Sequence, residues 1–303
     1  MTHETTAAPA DPLAPAVLLS GLAMPESARW HDGRFWFAHW GTGEIVAVDL
    51  DGRSEIMAQG PPGLGWSIDW LPDGRLLVTG PALMRQEADG SMVQHADLSG
   101  VADHGWNEIA LDPRGNIFLD GMTFDLAGGA APRPGIIAVV TPDGSARQVA
   151  EDIAFPNGMV ITPDGSNLII AESFAGRLTA FDVADDGSLS NRRIWADGVG
   201  PDGICLDADG CIWTGSAQTR VNTGRADAPE GELLRVREGG EVLDRIPCDQ
   251  AVFACALGGA DGRTLGMLAT DWRGFDKIDA VLAERTGRVL TARAPASAAT
   301  TAR

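Results

Sequence analysis

Four polar residues recur at one position of a repeated sequence pattern. Each stands seven or eight residues before a turn glycine, and the four are Glu26, Asn107, Asn157 and Asp202. Their neighbours are mostly apolar or small, so a fold that brings the four together buries two carboxylates and two amides. Buried carboxylates need a counter-charge, and such an all-oxygen set suits a hard divalent cation. We therefore predict one divalent metal ion here, with Ca²⁺ favoured and Zn²⁺, Mn²⁺, Mg²⁺ or Fe²⁺ as alternatives.

Turn formation is the alternative explanation for these residues. Asn and Asp before Gly commonly form turns because Gly accepts a positive φ and the side chain bonds to nearby backbone. The stretch GPDGICLDADGCIW, residues 200–213, poses the question directly, because it contains both Asp202-Gly203 and Asp209-Gly210. Either pair alone fits a turn. Four such residues in phase are harder to explain by turn formation, and Asp202 is therefore predicted as a ligand and Asp209 as a turn residue.

The shared position of these four residues is defined by six repeats of a turn followed by a β-rich run. The turn glycines lie 41 to 52 residues apart, and they are Gly33, Gly74, Gly115, Gly165, Gly210 and Gly262. A second family of turns falls between them, at Gly52, Gly90, Gly144, Gly187 and Gly240. Each unit thus supplies two hairpins, or four strands, which is the pattern of a propeller blade. The sequence predicts an all-β fold, a six-bladed β-propeller with four-stranded antiparallel blades.

The domain boundaries follow from the extent of the repeats. Residues 16–295 are predicted to form a single propeller domain, between a disordered N-terminal tail (1–15) rich in Ala, Pro and Thr and a flexible C-terminal tail (296–303). The last blade needs either AVLLSG (16–21) or TGRVLTARA (286–294) to complete it. The sequence leaves that choice open.

Propeller geometry places the candidate residues. Inner strands begin near the central axis, so equivalent positions converge there; the count of seven in the first blade is attributed to a shorter strand or a bulge. The second strands return to the same face, and they end near His39, Thr79, Asp120, Glu172, Ser216 and Asp271. Among these we predict catalytic roles in proton transfer for Asp120 and Glu172, beside Asp202 itself. For Glu172 the alternative is a carboxylate paired with Arg177 at a strand end.

Substrate contacts are predicted for Asn107, Trp66, His104 and Arg220. Asn107 would lie beside the ion, as ligand or substrate contact, and Trp66 holds the equivalent position in the second blade. His104 has a structural role as its alternative, as does His39. Arg220 belongs to one of two long loops on this face, 121–135 and 217–231, which we expect to form a lid that sets specificity.

Composition excludes several classes of protein. The chain has 303 residues with 42 acidic and 23 basic side chains, a net charge of −19, which disfavours nucleic acid and anionic membranes as partners. No run of about 18 apolar residues is present, and no signal peptide is apparent at the N-terminus. The four cysteines lack a zinc spacing and are expected to be reduced and buried, in a cytoplasmic protein with a small-molecule substrate. The oligomeric state stays open.

The chain also resembles the SMP-30/gluconolactonase/regucalcin-like family of six-bladed propellers. The stretches that carry the resemblance are PESARWHDGRFWFAHWGTGEI, WNEIALDPRGNIFLDG, FPNGMVITPDGSNLIIAES, GPDGICLDADGCIW and CALGGADGRTL. The resemblance implies metal ligation by Glu26, Asn157 and Asp202, with Asn107 beside the ion. Sugar-lactone members often carry an Arg two residues before that Asn, where this chain has Gly105. A simple aldonolactone is therefore not implied as substrate.

The resemblance implies hydrolysis of a lactone or related ester. A metal ion would polarise the ring carbonyl and lower the pKa of a water molecule, and a carboxylate would take the proton. The leading expectation is a metal-dependent hydrolase that opens a small lactone. The alternatives are a metal-dependent hydrolase of another ester, such as a phosphotriester, and a non-enzymatic propeller that binds calcium or a small ligand.

Overall fold

Six four-stranded antiparallel sheets form a closed ring in the computed structural model, which describes residues 13–102, 104–125, 129–216 and 230–299. The innermost strands of successive sheets contact one another all the way round, and the sixth contacts the first. This arrangement confirms the predicted six-bladed β-propeller.

The first three blades follow the chain from the inner strand to the outer strand. The first contains β2 (Pro25–His31), β3 (Arg34–His39), β4 (Glu44–Val48) and β5 (Ser54–Gln59). The second contains β6 (Ile68–Trp70), β7 (Leu76–Val78), β8 (Met84–Gln86) and β9 (Met92–Gln94). The third contains β10 (Trp106–Leu111), β11 (Ile117–Gly121), β12 (Gly135–Val140) and β13 (Ala146–Ile153).

The remaining blades repeat the pattern, except at the outer edge of the sixth. The fourth contains β14 (Pro156–Ile161), β15 (Asn167–Glu172), β16 (Arg177–Val183) and β17 (Leu189–Ala196). The fifth contains β18 (Ile204–Leu206), β19 (Ile212–Ser216), β20 (Gly231–Val236) and β21 (Val242–Cys248). The sixth contains β22 (Ala251–Gly258), β23 (Thr264–Thr270), β24 (Gly287–Arg293) and the N-terminal strand β1 (Ala16–Leu22).

Both candidate segments complete the last blade. The C-terminal strand β24 pairs with β23, and β1 then pairs with β24 as the outermost strand. Strands from opposite ends of the chain thus close the ring in one sheet. Beyond β24, Ala298 and Ala299 hydrogen bond to the backbone at Gly262 and Leu206, so this part of the expected tail crosses the hairpins of the fifth and sixth blades.

The turn glycines stand where the repeat pattern predicted them. All six of the first family lie between an inner and a second strand with positive φ values of 70° to 88°. In the first blade, Asp32 and Gly33 form a two-residue turn with positive φ at both positions, whereas the third blade uses the longer connection 112–116. The shorter turn explains the count of seven before Gly33. The expectation of a shorter first strand is wrong, because β2 is longer than β10 or β14.

Hydrophobic clusters fill the spaces between neighbouring blades. One such cluster joins Trp213 and Leu233 of the fifth blade to Val252 and Met267 of the sixth, and similar clusters occupy the other five interfaces. The repeat pattern did not predict the short helix α1 (Ile278–Glu284), between β23 and β24. Among the described residues, no helix has the length and apolar character needed to cross a membrane. The cytoplasmic location stays a prediction.

Candidate metal and active site

The inner strands carry the four predicted ligands at the face where these strands begin. Glu26, Asn107 and Asn157 are each the second residue of their strand, and Asp202 stands two residues before β18. The ladder to the second strand is interrupted at this point in three of the blades, between Glu26 and Arg29, Trp106 and Ile109, and Pro156 and Met159. Such β-bulges twist the strand and redirect its side chains.

Gly158 and Gly203 each follow a predicted ligand. Close packing, and not a turn, explains the pairs Asn157-Gly158 and Asp202-Gly203. A Cβ at Gly158 would lie 2.6 Å from the backbone nitrogen of Ile204 and 2.7 Å from the backbone carbonyl oxygen of Asp202. A Cβ at Gly203 would lie 2.7 Å from the Phe253 oxygen, and the Gly203 amide donates to that oxygen at 2.7 Å. The inner strands of blades four, five and six therefore meet backbone to backbone beside Asn157 and Asp202.

Several buried oxygens of this cluster have no hydrogen-bond donor among the described residues. These atoms are Asn107 Oδ1, Asp202 Oδ1 and Asp120 Oδ2. Glu26 receives one hydrogen bond, at 3.0 Å from the amide of Ser27, a fully buried residue held at φ = 53°. Left-handed backbone at a buried Ser is strained, and it fixes the direction of the neighbouring carboxylate.

Burial, and then the charge of neighbouring carboxylates, raises the pKa of Glu26, Asp120 and Asp202. Burial, followed by the charge of Glu108, raises the pKa of Asp202 to about 8. Burial, followed by the charges of Asp202 and Glu108, raises the pKa of Glu26 well above its usual value. Burial and Glu108 likewise raise the pKa of Asp120. Within the described part of the chain, basic side chains therefore do not balance the negative charge of these groups.

Glu108 is a member of the cluster that the sequence analysis did not identify. Its Oε1 accepts a hydrogen bond from Ser67 Oγ at 2.8 Å, and its Oε2 pairs with Arg29 Nη2 at 3.1 Å. Arg29 Nη2 also donates to the Ile109 carbonyl at 3.0 Å. Both Glu108 oxygens are thus occupied, in contrast to Asn107 Oδ1 and Asp202 Oδ1.

These residues fit a hard divalent cation. A cation would satisfy the buried Oδ1 atoms of Asn107 and Asp202, to which no described residue donates, and would offset the charges of Glu26 and Asp202. Within the described ranges, no three His, Cys, Asp or Glu side chains come together as a metal-binding group. Of the four predicted ligands, only Glu26 and Asp202 are carboxylates, and the other two would bind through the amide oxygens of Asn107 and Asn157.

Asp120 joins the cluster, whereas Glu172 lies in a separate ion-pair network. The amide of Glu108 donates to Asp120 Oδ1 at 3.3 Å, and the Asp120 side chain is fully buried. Glu172 accepts hydrogen bonds from Arg177 and Arg192 at 3.1 Å and from the amide of Ala154 at 2.9 Å. These donors lower its pKa despite its burial. The pairing with Arg177 is therefore present, and the catalytic role of Glu172 stays a prediction.

Two of the predicted substrate contacts other than Asn107, Trp66 and His104, lie within the described residues. Trp66 is buried between the first two blades, with its indole donating to the Gly63 carbonyl at 3.1 Å. His104 is exposed, and Arg220 lies outside the described residues, as does most of the loop 217–231. His39 accepts a hydrogen bond at Nε2 from the Ala23 amide at 2.8 Å, which is a structural contact. The substrate roles of Trp66, His104 and Arg220 stay predictions.

A β-propeller with an oxygen-rich cluster at the start of its inner strands is the class of protein that the fold and site define. Within that class, the chain belongs to the SMP-30/gluconolactonase/LRE-like family, whose characteristic region matches residues 24–270. The predicted family resemblance is confirmed.

Curated relatives match the chain over part of their length. It is 28% identical over 197 residues to the diisopropyl-fluorophosphatase of Loligo vulgaris, covering 55% of this chain and 61% of that protein. It is 26% identical over 155 residues to the pentonolactonase of Haloferax volcanii, covering 46% of this chain and 51% of that protein. The chain thus spans about half to three fifths of these relatives.

Solved structures share the whole fold at low identity. A regucalcin from Agrobacterium tumefaciens, described as calcium-binding, superposes with a TM-score of 0.73 at 21% identity, covering 93% of this chain and 94% of that one. A luciferin-regenerating enzyme superposes with a TM-score of 0.77 at 17% identity, covering 94% and 97%. At this level of identity, the likeness shows the fold alone.

Proposed function

We propose that the protein is a metal-dependent hydrolase that opens a small lactone or related cyclic ester. The observation that carries the proposal is a set of buried carboxylate and amide oxygens, at the start of the inner strands, for which the described residues provide no donor. Family membership and the pentonolactonase relative support a lactone as the substrate class. The calcium-binding regucalcin structure supports a divalent ion, with Ca²⁺ favoured.

Glu26, Asn157, Asp202 and Asn107 would hold the ion. When bound, the ion would polarise the substrate carbonyl and make a water molecule more acidic. Asp202 and Asp120 are the candidates to accept a proton, because Asp202 Oδ1 and Asp120 Oδ2 have no donor among the described residues. The ion pair between Glu108 and Arg29 joins the inner strands of the first and third blades and would hold Glu26 and Asn107 in position.

Metal removal and restoration test the proposal. Chelator-treated protein should lose proton release from a panel of lactones and regain it when Ca²⁺ or another divalent ion is added. Calorimetric titration of the same samples measures ion binding without reference to activity. Ion binding without turnover of any lactone would contradict the lactonase proposal and would favour a binding protein.

A phosphotriester substrate is the second candidate, since the Loligo vulgaris relative is named as a fluorophosphatase. A fluorophosphate and an aryl phosphotriester therefore belong in the same panel. Ion-dependent turnover of these compounds, with no turnover of lactones, would replace the leading proposal by this one.

A further inference from the structure

Three exposed apolar side chains lie at the same face of the propeller as the predicted ligands. They are Phe174 (55% exposed), Phe275 (48%) and Leu64 (38%), and we refer to them as the apolar rim. Each lies in a connection at the face where the inner strands begin. Exposed large apolar side chains close to a candidate site are candidates for ligand contacts.

Phe174 flanks Asn157. Its ring stacks on Phe155, with ring centroids 4.1 Å apart and planes inclined by 16°. Phe155 stands two residues before Asn157, and the Phe174 amide donates to the Ala154 carbonyl at 3.2 Å. These contacts fix Phe174 at the start of β14, beside the ligand that this strand carries.

Leu64 and Phe275 approach from two other directions. Leu64 precedes Gly65, where a Cβ would lie 3.9 Å from Asn107 Oδ1. Phe275 packs edge-on against Trp272 at 5.0 Å between ring centroids, and Trp272 packs against Phe253 at 5.5 Å. Phe253 accepts the hydrogen bond from Gly203, next to Asp202. Each member of the rim is thus linked to a different predicted ligand.

Gly105, two residues before Asn107, presents no side chain at this face. Its φ is 81°, and a Cβ there would lie 3.0 Å from the Gly80 carbonyl oxygen. A side chain at this position would be strained and crowded. Near Phe275, the charges of Arg273 and Glu284 pair with each other, so they do not present a free charge to a substrate.

We propose that the apolar rim selects lactones that carry an alkyl or aryl substituent over polyhydroxylated sugar lactones. The proposal rests on the lactonase function proposed above. The substituent would lie against Phe174, Phe275 and Leu64 while the ring carbonyl reaches the oxygen cluster. Water released from these side chains would drive binding, and each methylene buried against them would tighten binding about fourfold.

Kinetics of the metal-loaded protein on three substrates test the proposal. The substrates are γ-butyrolactone, a γ-lactone with an alkyl chain, and an aldonolactone. We expect the alkyl lactone to have the highest kcat/KM, through a lower KM. The substitutions F174S and F275S should each reduce its advantage over γ-butyrolactone at least fourfold. The matched control I194S changes an apolar residue that is 57% exposed on the outer strand of the same blade as Phe174, and it should leave all three values unchanged.

Binding of an alkyl lactam, which resists hydrolysis, separates this proposal from the proposed function. If no lactone is hydrolysed but the lactam binds and F174S weakens its binding, the lactonase proposal fails and the apolar rim stands. The rim proposal is overturned if the aldonolactone equals or exceeds the alkyl lactone. It is also overturned if F174S and F275S leave both the alkyl preference and lactam binding unchanged.

Discussion

Replacement of Glu172 by Gln decides between a structural and a catalytic carboxylate. Gln keeps the shape of the side chain and removes the charge that Arg177 and Arg192 contact at 3.1 Å. Removing one partner of a buried ion pair costs about 3–5 kcal/mol. The two guanidinium groups are 30% and 34% exposed and can regain water, so we expect a smaller loss of about 2 kcal/mol. For a chain of this length, that loss corresponds to a decrease in Tm of about 3 °C.

The pH dependence of this difference follows from the lowered pKa of Glu172. A carboxyl group whose pKa is lower in the folded state stabilises the protein above its unfolded value, and the contribution is lost as the pH falls through the folded value. The Tm difference between wild type and E172Q should therefore be complete above the ordinary pKa of 4.5 and should disappear in more acidic buffer. Calorimetry of both proteins in buffers above and below pH 4.5 measures the Tm difference and its dependence on pH.

The matched control is E55Q, which removes a surface ion pair with Arg34 in the first blade. Because Glu55 is 67% exposed, the Tm of E55Q should stay within about 1 °C of wild type. The structural reasoning predicts that kcat of E172Q, measured well below its Tm, stays within about threefold of wild type. A loss of kcat of about 100-fold with an unchanged Tm would refute it and establish the catalytic role.

Three further predictions concern the site and the strands beneath it. G158A should lower the Tm by several degrees in thermal unfolding, because overpacking against fixed backbone costs about 1–3 kcal/mol. The control G100A should leave the Tm unchanged, because a Cβ at Gly100 meets nothing within 4 Å. D202A should abolish the rise in Tm on adding the divalent ion, as measured in the same assay; an undiminished rise would contradict its role as ligand. Cys205 and Cys255, with sulfur atoms 3.4 Å apart, should be linked by a thiol oxidant, giving one inter-strand disulfide in peptide mass spectra. Retention of both free thiols under conditions that oxidise a control dithiol would contradict this geometry.

The turn glycines made the fold predictable from the sequence. Local backbone conformation determines where Gly is needed, so the spacing of Gly33, Gly74 and their counterparts indicated the blades directly. The closing sheet was not predictable, because β1 and β24 come from opposite ends of the chain and both carry strand patterns. Long-range pairing of this kind depends on tertiary packing, which a local pattern does not report.

Glu108 shows why part of the site escaped prediction. In a regular strand, Asn107 and Glu108 would point to opposite faces, so a residue next to a ligand is assigned away from the axis. The bulge between Trp106 and Ile109 breaks that alternation, and the charge of Glu108 acts on Glu26, Asp120 and Asp202. A bulge leaves no distinctive local residue pattern, so the sequence alone did not reveal this interaction.

The ion pair between Glu108 and Arg29 also limits how many cations the site needs. Arg29 reaches from the first blade to neutralise Glu108, and Ser67 occupies the other carboxylate oxygen. Among the described residues, the carboxyl groups left without a cationic partner are then Glu26, Asp202 and Asp120. One divalent ion would balance two charges, and the raised pKa of Asp120 favours its neutral form. Arg29 also lines the central cavity formed by the inner strands, where its positive charge disfavours a second cation. We therefore expect a single ion, at the face where the inner strands begin.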